Sequence, residues 1–162
     1  MKIGIISDSH NDLSAIDNAI CLAPDVACWF HAGDSISDAE YLMNVAQKQV
    51  FAVPGNIDWF STAHKEVLVE IAGIKVLITH GHQYNVKSTR QYLYEHSLKT
   101  DADLIIYGHT HIGKQEIIKH KYLVNPGSVS EPRDGLKPSF MIADISPEEI
   151  KINRIFLEEN NK

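Results

Sequence analysis

The chain has 162 residues, 44% of them apolar and 22% charged, and carries a net charge of −6 at neutral pH. That length and balance describe a single globular domain, residues 1–162, large enough to bury a core. No apolar run is long enough to cross a bilayer, and the acidic balance argues against a broad nucleic-acid-binding face, which needs a Lys/Arg-rich surface.

In chain order, Lys2–Ser7 (KIGIIS) is a β-branched apolar run that reads as a buried strand, and it begins with no charged-then-apolar leader, so cytoplasmic residence is expected. An amphipathic helix follows Asp8–Asp12, with Leu13, Ile16, Ile20 and Ala23 on one stripe and Pro24 closing it. Val26–His31 is a second strand, and Ser37 or Asp38 can cap a helix over Ala39–Lys48. Gln49–Val53 is a third strand. Glu66–Ala72 and Ile74–Thr79 read as a hairpin turning at Gly73, Val86–Leu98 as a third helix, and Leu104–Tyr107 as a further strand. Beyond Lys114 the signals are β only, at Gln115–Ile118, Tyr122–Val124, Ser139–Ile145 and Ile150–Phe156. This order predicts an α/β (α+β) fold of two mixed sheets packed face to face with helices outside, and a doubly wound Rossmann-like sheet is the alternative. No glycine-rich nucleotide fingerprint or P-loop occurs to favour the latter. Cys21 and Cys28 fall in a predicted helix and strand and read as small buried apolar residues.

Nine histidines is a high number for this length, and five of them fall in polar motifs. Those motifs are Asp8–Ser9–His10, Gly33–Asp34, Gly55–Asn56, His80–Gly81–His82 and Gly108–His109–Thr110–His111, each just beyond a predicted strand. The carboxyl ends of strands converge on one crevice, so residues far apart in sequence can meet there. Any one motif alone is more simply a turn or a cap, but five in the same position relative to strands call for a common cause. The inventory is two carboxylates, an amide and imidazoles without a thiolate, which suits Mn, Fe, Co, Ni or Zn. Seven such ligands exceed one tetrahedral site and fit two neighbouring metals if a carboxylate bridges them. Two divalent ions, two carboxylates and a bridging hydroxide leave a surplus of about one positive charge to hold a phosphate.

The order D-S-H, G-D, G-N, H-G-H, G-H-T-H, then Asn125–Pro126–Gly127–Ser128, resembles the calcineurin-like metallophosphoesterase superfamily over nearly the whole chain. More narrowly, it is similar to the small single-domain bacterial and archaeal phosphodiesterases of that superfamily. The resemblance implies a four-layer αββα sandwich. It also implies two divalent metals, manganese first and nickel, iron, cobalt or zinc as alternatives. Asp8, His10, Asp34 and His111 would hold one metal, and Asp34 (bridging), Asn56, His80 and His109 the other. Many members place a proton-donating histidine directly after the asparagine; here that residue is Ile57, a departure shared with the small diesterases. The leaving group must then be good already, or take its proton from water, Asp58 or His82.

The expected function is hydrolysis of a small phosphodiester by a hydroxide bridging the two metals. A phosphomonoesterase with the same site, and a non-catalytic scaffold like the small retromer subunit, are the alternatives. A metal-dependent nuclease is disfavoured by the acidic balance. His82 reads as a residue behind the ligands or facing substrate, and Arg133 as a phosphate contact or an ordinary surface ion pair. His31, His64, His96 and His120 match no motif. Trp59–Phe60 reads as core packing in the simplest case, or as an exposed pair at the site rim or an oligomer contact; the resemblance leaves room for a homo-oligomer. No membrane partner is expected.

Overall fold

The computed structural model describes residues 1–158, which form ten strands and three α-helices. The first sheet runs β10-β9-β1-β2-β3: β1 (Lys2–Ile6), β2 (Cys28–His31), β3 (Gln49–Ala52), β9 (Ser139–Ile145) and β10 (Ile150–Phe156). In it β1, β2 and β3 are parallel, and β9 pairs antiparallel with both β1 and β10. The second runs β4-β5-β6-β8-β7: β4 (Glu66–Ile71), β5 (Ile74–Thr79), β6 (Leu104–Ile106), β7 (Gly113–Ile118) and β8 (Lys121–Pro126). Here β5, β6 and β8 are parallel, with β4 and β7 antiparallel at the edges. Both sheets are therefore mixed.

Side-chain alternation along each parallel strand sorts the core into layers. Ile3, Ile5 and Phe30 meet Val76, Ile78 and Ile106 in the seam between the sheets. Ile6 and Trp29 point the other way, onto the helices α1 (Leu13–Leu22) and α2 (Ile36–Ala46). Leu77, Ile105 and Leu123 likewise back onto α3 (Gln91–Thr100) through Leu93 and Tyr94. Strands covered on both faces have no polar side to show, which is why they read as continuous apolar runs. The result is the four-layer αββα sandwich.

The helices depart from their sequence expectations for identifiable reasons. Asp12 caps α1, its carboxylate accepting the Ala15 N–H at 3.0 Å, but the buried stripe is Ala15, Ile16 and Ala19, and Leu13 is exposed. Cys28 is buried and Cys21 lies on the exposed face of α1, correcting the reading of both as buried. Helix α2 begins three residues earlier than Ala39 because its cap comes from across the site: Asp58 accepts the N–H groups of Ser35 and Ile36 at 3.1 and 2.9 Å. Val86 is in the core but not in a helix; the chain makes a 3-10 turn at His82–Tyr84, passes through left-handed Asn85, and starts α3 only after Thr89, whose hydroxyl accepts the Gln91 N–H. The β4–β5 hairpin turns through Ala72 and Gly73, both at positive φ, as a tight two-residue connection requires.

Candidate metal centre

The loops after β1 and β2 meet those after β5 and β6 at one end of the seam, with the loop after β3 beside them. Asp8, His10, Asp34 and His111 offer donor atoms that all lie within 4.8 Å of one another, and so do Asp34, His80 and His109. Asp34 belongs to both groups. Asp34 Oδ1 is 3.5 Å from His80 Nε2, while its Oδ2 is 3.8 Å from His10 Nε2. Asp8 Oδ1 lies 3.3 Å from His111 Nε2 and 3.4 Å from His80 Nε2, and the Nε2 atoms of His10 and His111 approach to 3.2 Å. Asn56 stands at the edge of this cluster on an exposed loop whose next residue, Ile57, donates its N–H to Asp34 Oδ1 at 3.4 Å.

The backbone is bent to achieve this. Asp8, His10, Asp34, His109 and His111 all have φ between 46° and 67°, a left-handed conformation that L side chains adopt at a cost of about 1–2 kcal/mol each. Strain of this kind persists only where the surroundings over-determine it. Two glycines permit the close approach: a Cβ at Gly108 would stand 2.0 Å from Ser7 Oγ, and one at Gly55 would stand 1.9 Å from Asp34 Oδ1. The Asn125–Ser128 turn after β8 ties the loops together. Asn125 Nδ2 donates to the Gly108 carbonyl at 2.8 Å and Thr110 Oγ1 at 3.1 Å, and Ser128 Oγ donates to the Asp8 carbonyl at 2.7 Å. Asp8 itself accepts Ser7 Oγ–H at 2.7 Å and the His109 N–H at 3.1 Å.

The electrostatics are those of a site built for cations. Burial disfavours a charge on His80, but the adjacent Asp34 and Asp8 carboxylates override it and raise the imidazole to about 9, so a proton is held where positive charge is wanted. Burial also works against ionised Asp34, and the His80 hydrogen bond and charge hold it down to about 2. His109 goes the other way: burial, then the His80 charge and Lys87, lower it to about 4, leaving it a neutral donor. His111 Nδ1–H donates to the Glu131 carbonyl at 2.7 Å, which turns the Nε2 lone pair into the cluster. Carboxylate oxygens and imidazole lone pairs converging without thiolates match the chemistry of divalent metals.

The remaining candidates are placed as follows. His82 sits behind His80, their Nδ1 atoms 2.9 Å apart. Asp58 is not free to protonate a leaving group: besides Ser35 and Ile36 it accepts the Gly55 N–H at 2.7 Å, so it braces the loop that carries Asn56. Ile57 is exposed, and Arg133 is exposed beside Thr110. Trp59 and Phe60 are 84% and 99% exposed, so the core-packing expectation is overturned, and Trp59 lines a cleft together with Asn56 and His82. His64 and His120 are exposed, and His96 pairs with Glu66 at 2.8 Å. His31 is more than an ordinary core residue. Fully buried under the site, it accepts the Gly33 N–H at Nδ1, and its Nε2 lies 2.9 Å from Ser9 Oγ, which in turn donates to Asp38 at 2.6 Å. Asp38 also accepts the Asn11 N–H at 2.8 Å, so this chain fixes the Asp8–His10 turn from below. A lone His and a lone Asp carry no spacing signal for such a role.

Residues 1–148 match the calcineurin-like phosphoesterase superfamily domain. A probable metallophosphoesterase of Bacillus subtilis is 33% identical over 88% of this chain and 83% of its own length. A phosphodiesterase of Methanocaldococcus jannaschii is 31% identical over 93% of this chain and 97% of its own. Among solved structures, an archaeal phosphodiesterase has 28% identity and a TM-score of 0.75, covering 96% of this chain and 100% of that one. The zinc complex of Vps29 from Entamoeba histolytica, 22% identical, superimposes with a TM-score of 0.76 over 96% of this chain and 98% of its own, a likeness of fold.

Proposed function

The chain belongs to the calcineurin-like phosphoesterase superfamily, hydrolases of phosphoric esters that use divalent metals, and on that premise we propose that it hydrolyses a small phosphodiester. The observation that carries the reading is Asp34, one carboxylate shared by two groups of converging donors. Asp8, His10, Asp34 and His111 would hold one metal; Asp34, His80, His109 and Asn56 would hold the other. Paired metals, when bound, would activate water and stabilise charge on the attacking and leaving oxygens. Manganese remains the first expectation.

The protein's own part is orientation. The Asn125–Ser128 turn and the His31–Ser9–Asp38 chain hold the ligand loops, and His111 is fixed in one tautomer by Glu131. None of the three candidates for protonating a leaving alcohol is set to do so: Ile57 has no proton to give, Asp58 is occupied by three N–H groups, and His82 faces His80. That favours leaving groups that depart without help. The surplus of about one positive charge matches a diester, a monoanion, better than a monoester dianion.

The test is turnover of bis(4-nitrophenyl) phosphate against 4-nitrophenyl phosphate with Mn, Ni, Fe, Co or Zn, using His109→Ala and Asn56→Ala as controls. Faster diester cleavage that both variants abolish is expected. Faster monoester cleavage would overturn the diester assignment, and activity surviving both variants would overturn the site.

A further inference from the structure

Next to the metal centre lies a cleft of about 430 Å³ that none of the metal ligands line. It is joined to the centre covalently and by hydrogen bonding: Thr110, on its wall, separates His109 from His111, and the Arg133 N–H donates to the His111 carbonyl at 2.9 Å. Ile112, 42% exposed, gives it an apolar surface, backed by the buried Val86 and Tyr107. The charge around it is opposite to that of the chain. Against a net charge of −6 overall, this wall carries the four cations Lys87, Arg90, Lys114 and Arg133.

The neighbouring acids do not cancel them. Glu116 is shared between Arg90 at 3.1 Å and Lys114 at 3.0 Å, one carboxylate for two cations. Asp134, next to Arg133 in sequence, is turned away to Arg154 at 2.6 Å and the Gly113 N–H at 3.1 Å. Among the described residues Lys87 and Arg133 form no ion pair with any carboxylate, and both are exposed on the cleft wall. An apolar surface rimmed by unpaired cations, within reach of a phosphate-cleaving centre, matches a ring-bearing group with its own negative charge.

We propose that this cleft binds the alcohol portion of the diester, and that this portion carries a second phosphate, recognised by Lys87 and Arg133 with its ring against Ile112. The substrate class is thereby narrowed from phosphodiesters at large to phosphodiesters of a phosphorylated, ring-containing alcohol. This rests on the diesterase reading, yet it is testable apart from it.

Two probes are compared. One is 3′-phosphothymidine 5′-(4-nitrophenyl phosphate), which carries the second phosphate; the other is bis(4-nitrophenyl) phosphate, which does not. In the metal-loaded enzyme, Arg133→Ala and Lys87→Ala should each raise KM for the phosphorylated diester by roughly 5- to 10-fold. The rise should be several-fold smaller for the neutral-ringed one, and Arg133→Lys should recover part of the loss. Lys151→Ala, on a remote surface paired with Glu149, should change neither. Independently of turnover, thymidine 3′,5′-bisphosphate titrated into EDTA-treated protein should shift the amide resonances of Thr110 and Ile112, and the double variant Lys87→Ala/Arg133→Ala should weaken that binding. Equal KM changes for both probes, or bisphosphate binding undiminished in a double variant with a native amide spectrum, would overturn the proposal. If neither diester is cleaved but the bisphosphate binds through Lys87 and Arg133, the diesterase reading fails and the anion site stands.

Discussion

The floor of the site and its rim are built on opposite principles. On the floor, Asp8, Asp34, His80 and His111 are at most 3% exposed, three of them hold left-handed backbones, and each makes a hydrogen bond to another loop. On the rim, Ile57, Trp59, Phe60, Lys87 and Arg133 are all exposed. Residues that hold a metal need sub-ångström placement, and on the proposed reading the backbone strain of the floor would secure it. Groups that read a substrate are carried on surface loops. On the proposed reading, the buried layer would set the chemistry and the exposed one the selectivity.

This contrast can be broken by substitution. Asp34→Ala removes the one carboxylate common to both donor groups and should lower kcat/KM by roughly 10³-fold or more, with loss of bound metal measured by elemental analysis. Next in size is a pH effect confined to metal-free protein. His80 is raised from 6.5 to about 9, so its stabilisation is complete below pH 6.5 and is lost as pH rises through 9. Urea unfolding in EDTA should therefore show a loss of roughly 2–3 kcal/mol between pH 6.5 and 9. Added Mn²⁺ should remove that dependence, because His80 then needs no proton.

Smaller effects belong to the supports. Asn125→Ala frees the Gly108 carbonyl and Thr110 and should cost roughly 10- to 100-fold in metal affinity, read by isothermal titration. Asp58→Ala should lower unfolding free energy by about 1 kcal/mol through the lost α2 cap, while the pH profile of kcat keeps its shape. A profile that loses its alkaline limb would restore Asp58 as a proton donor. At the rim, Trp59→Ala should change stability by no more than about 0.5 kcal/mol, since the ring packs on nothing it would leave empty.

The floor was legible in the sequence and the rim was not. Strand ends are marked by apolar runs that stop, and Gly33, Gly55 and Gly108 mark where loops must pack closely, so the motifs carrying Asp8, Asp34 and His109 stood out as a set, each after a strand, where none did singly. The sheets followed from the same runs, with β9 and β10 read to the residue. What failed depends on tertiary partners. The start of α2 is set by Asp58, twenty-two residues beyond Ile36 in sequence, and no local pattern announces that cap. Leu13 and Cys21 lie on a helix whose buried face is narrow, and Trp59–Phe60 lie where no element covers them. Exposure of an apolar side chain is decided by what is missing opposite it, and sequence has no mark for that.

The most direct measurement is a calorimetric titration of Mn²⁺ into EDTA-treated protein, alongside the Asp34→Ala variant. Two equivalents bound by the native chain, with affinity for both lost in Asp34→Ala, is the predicted result. A single equivalent, or two bound undiminished in the variant, would contradict a centre built around one shared carboxylate.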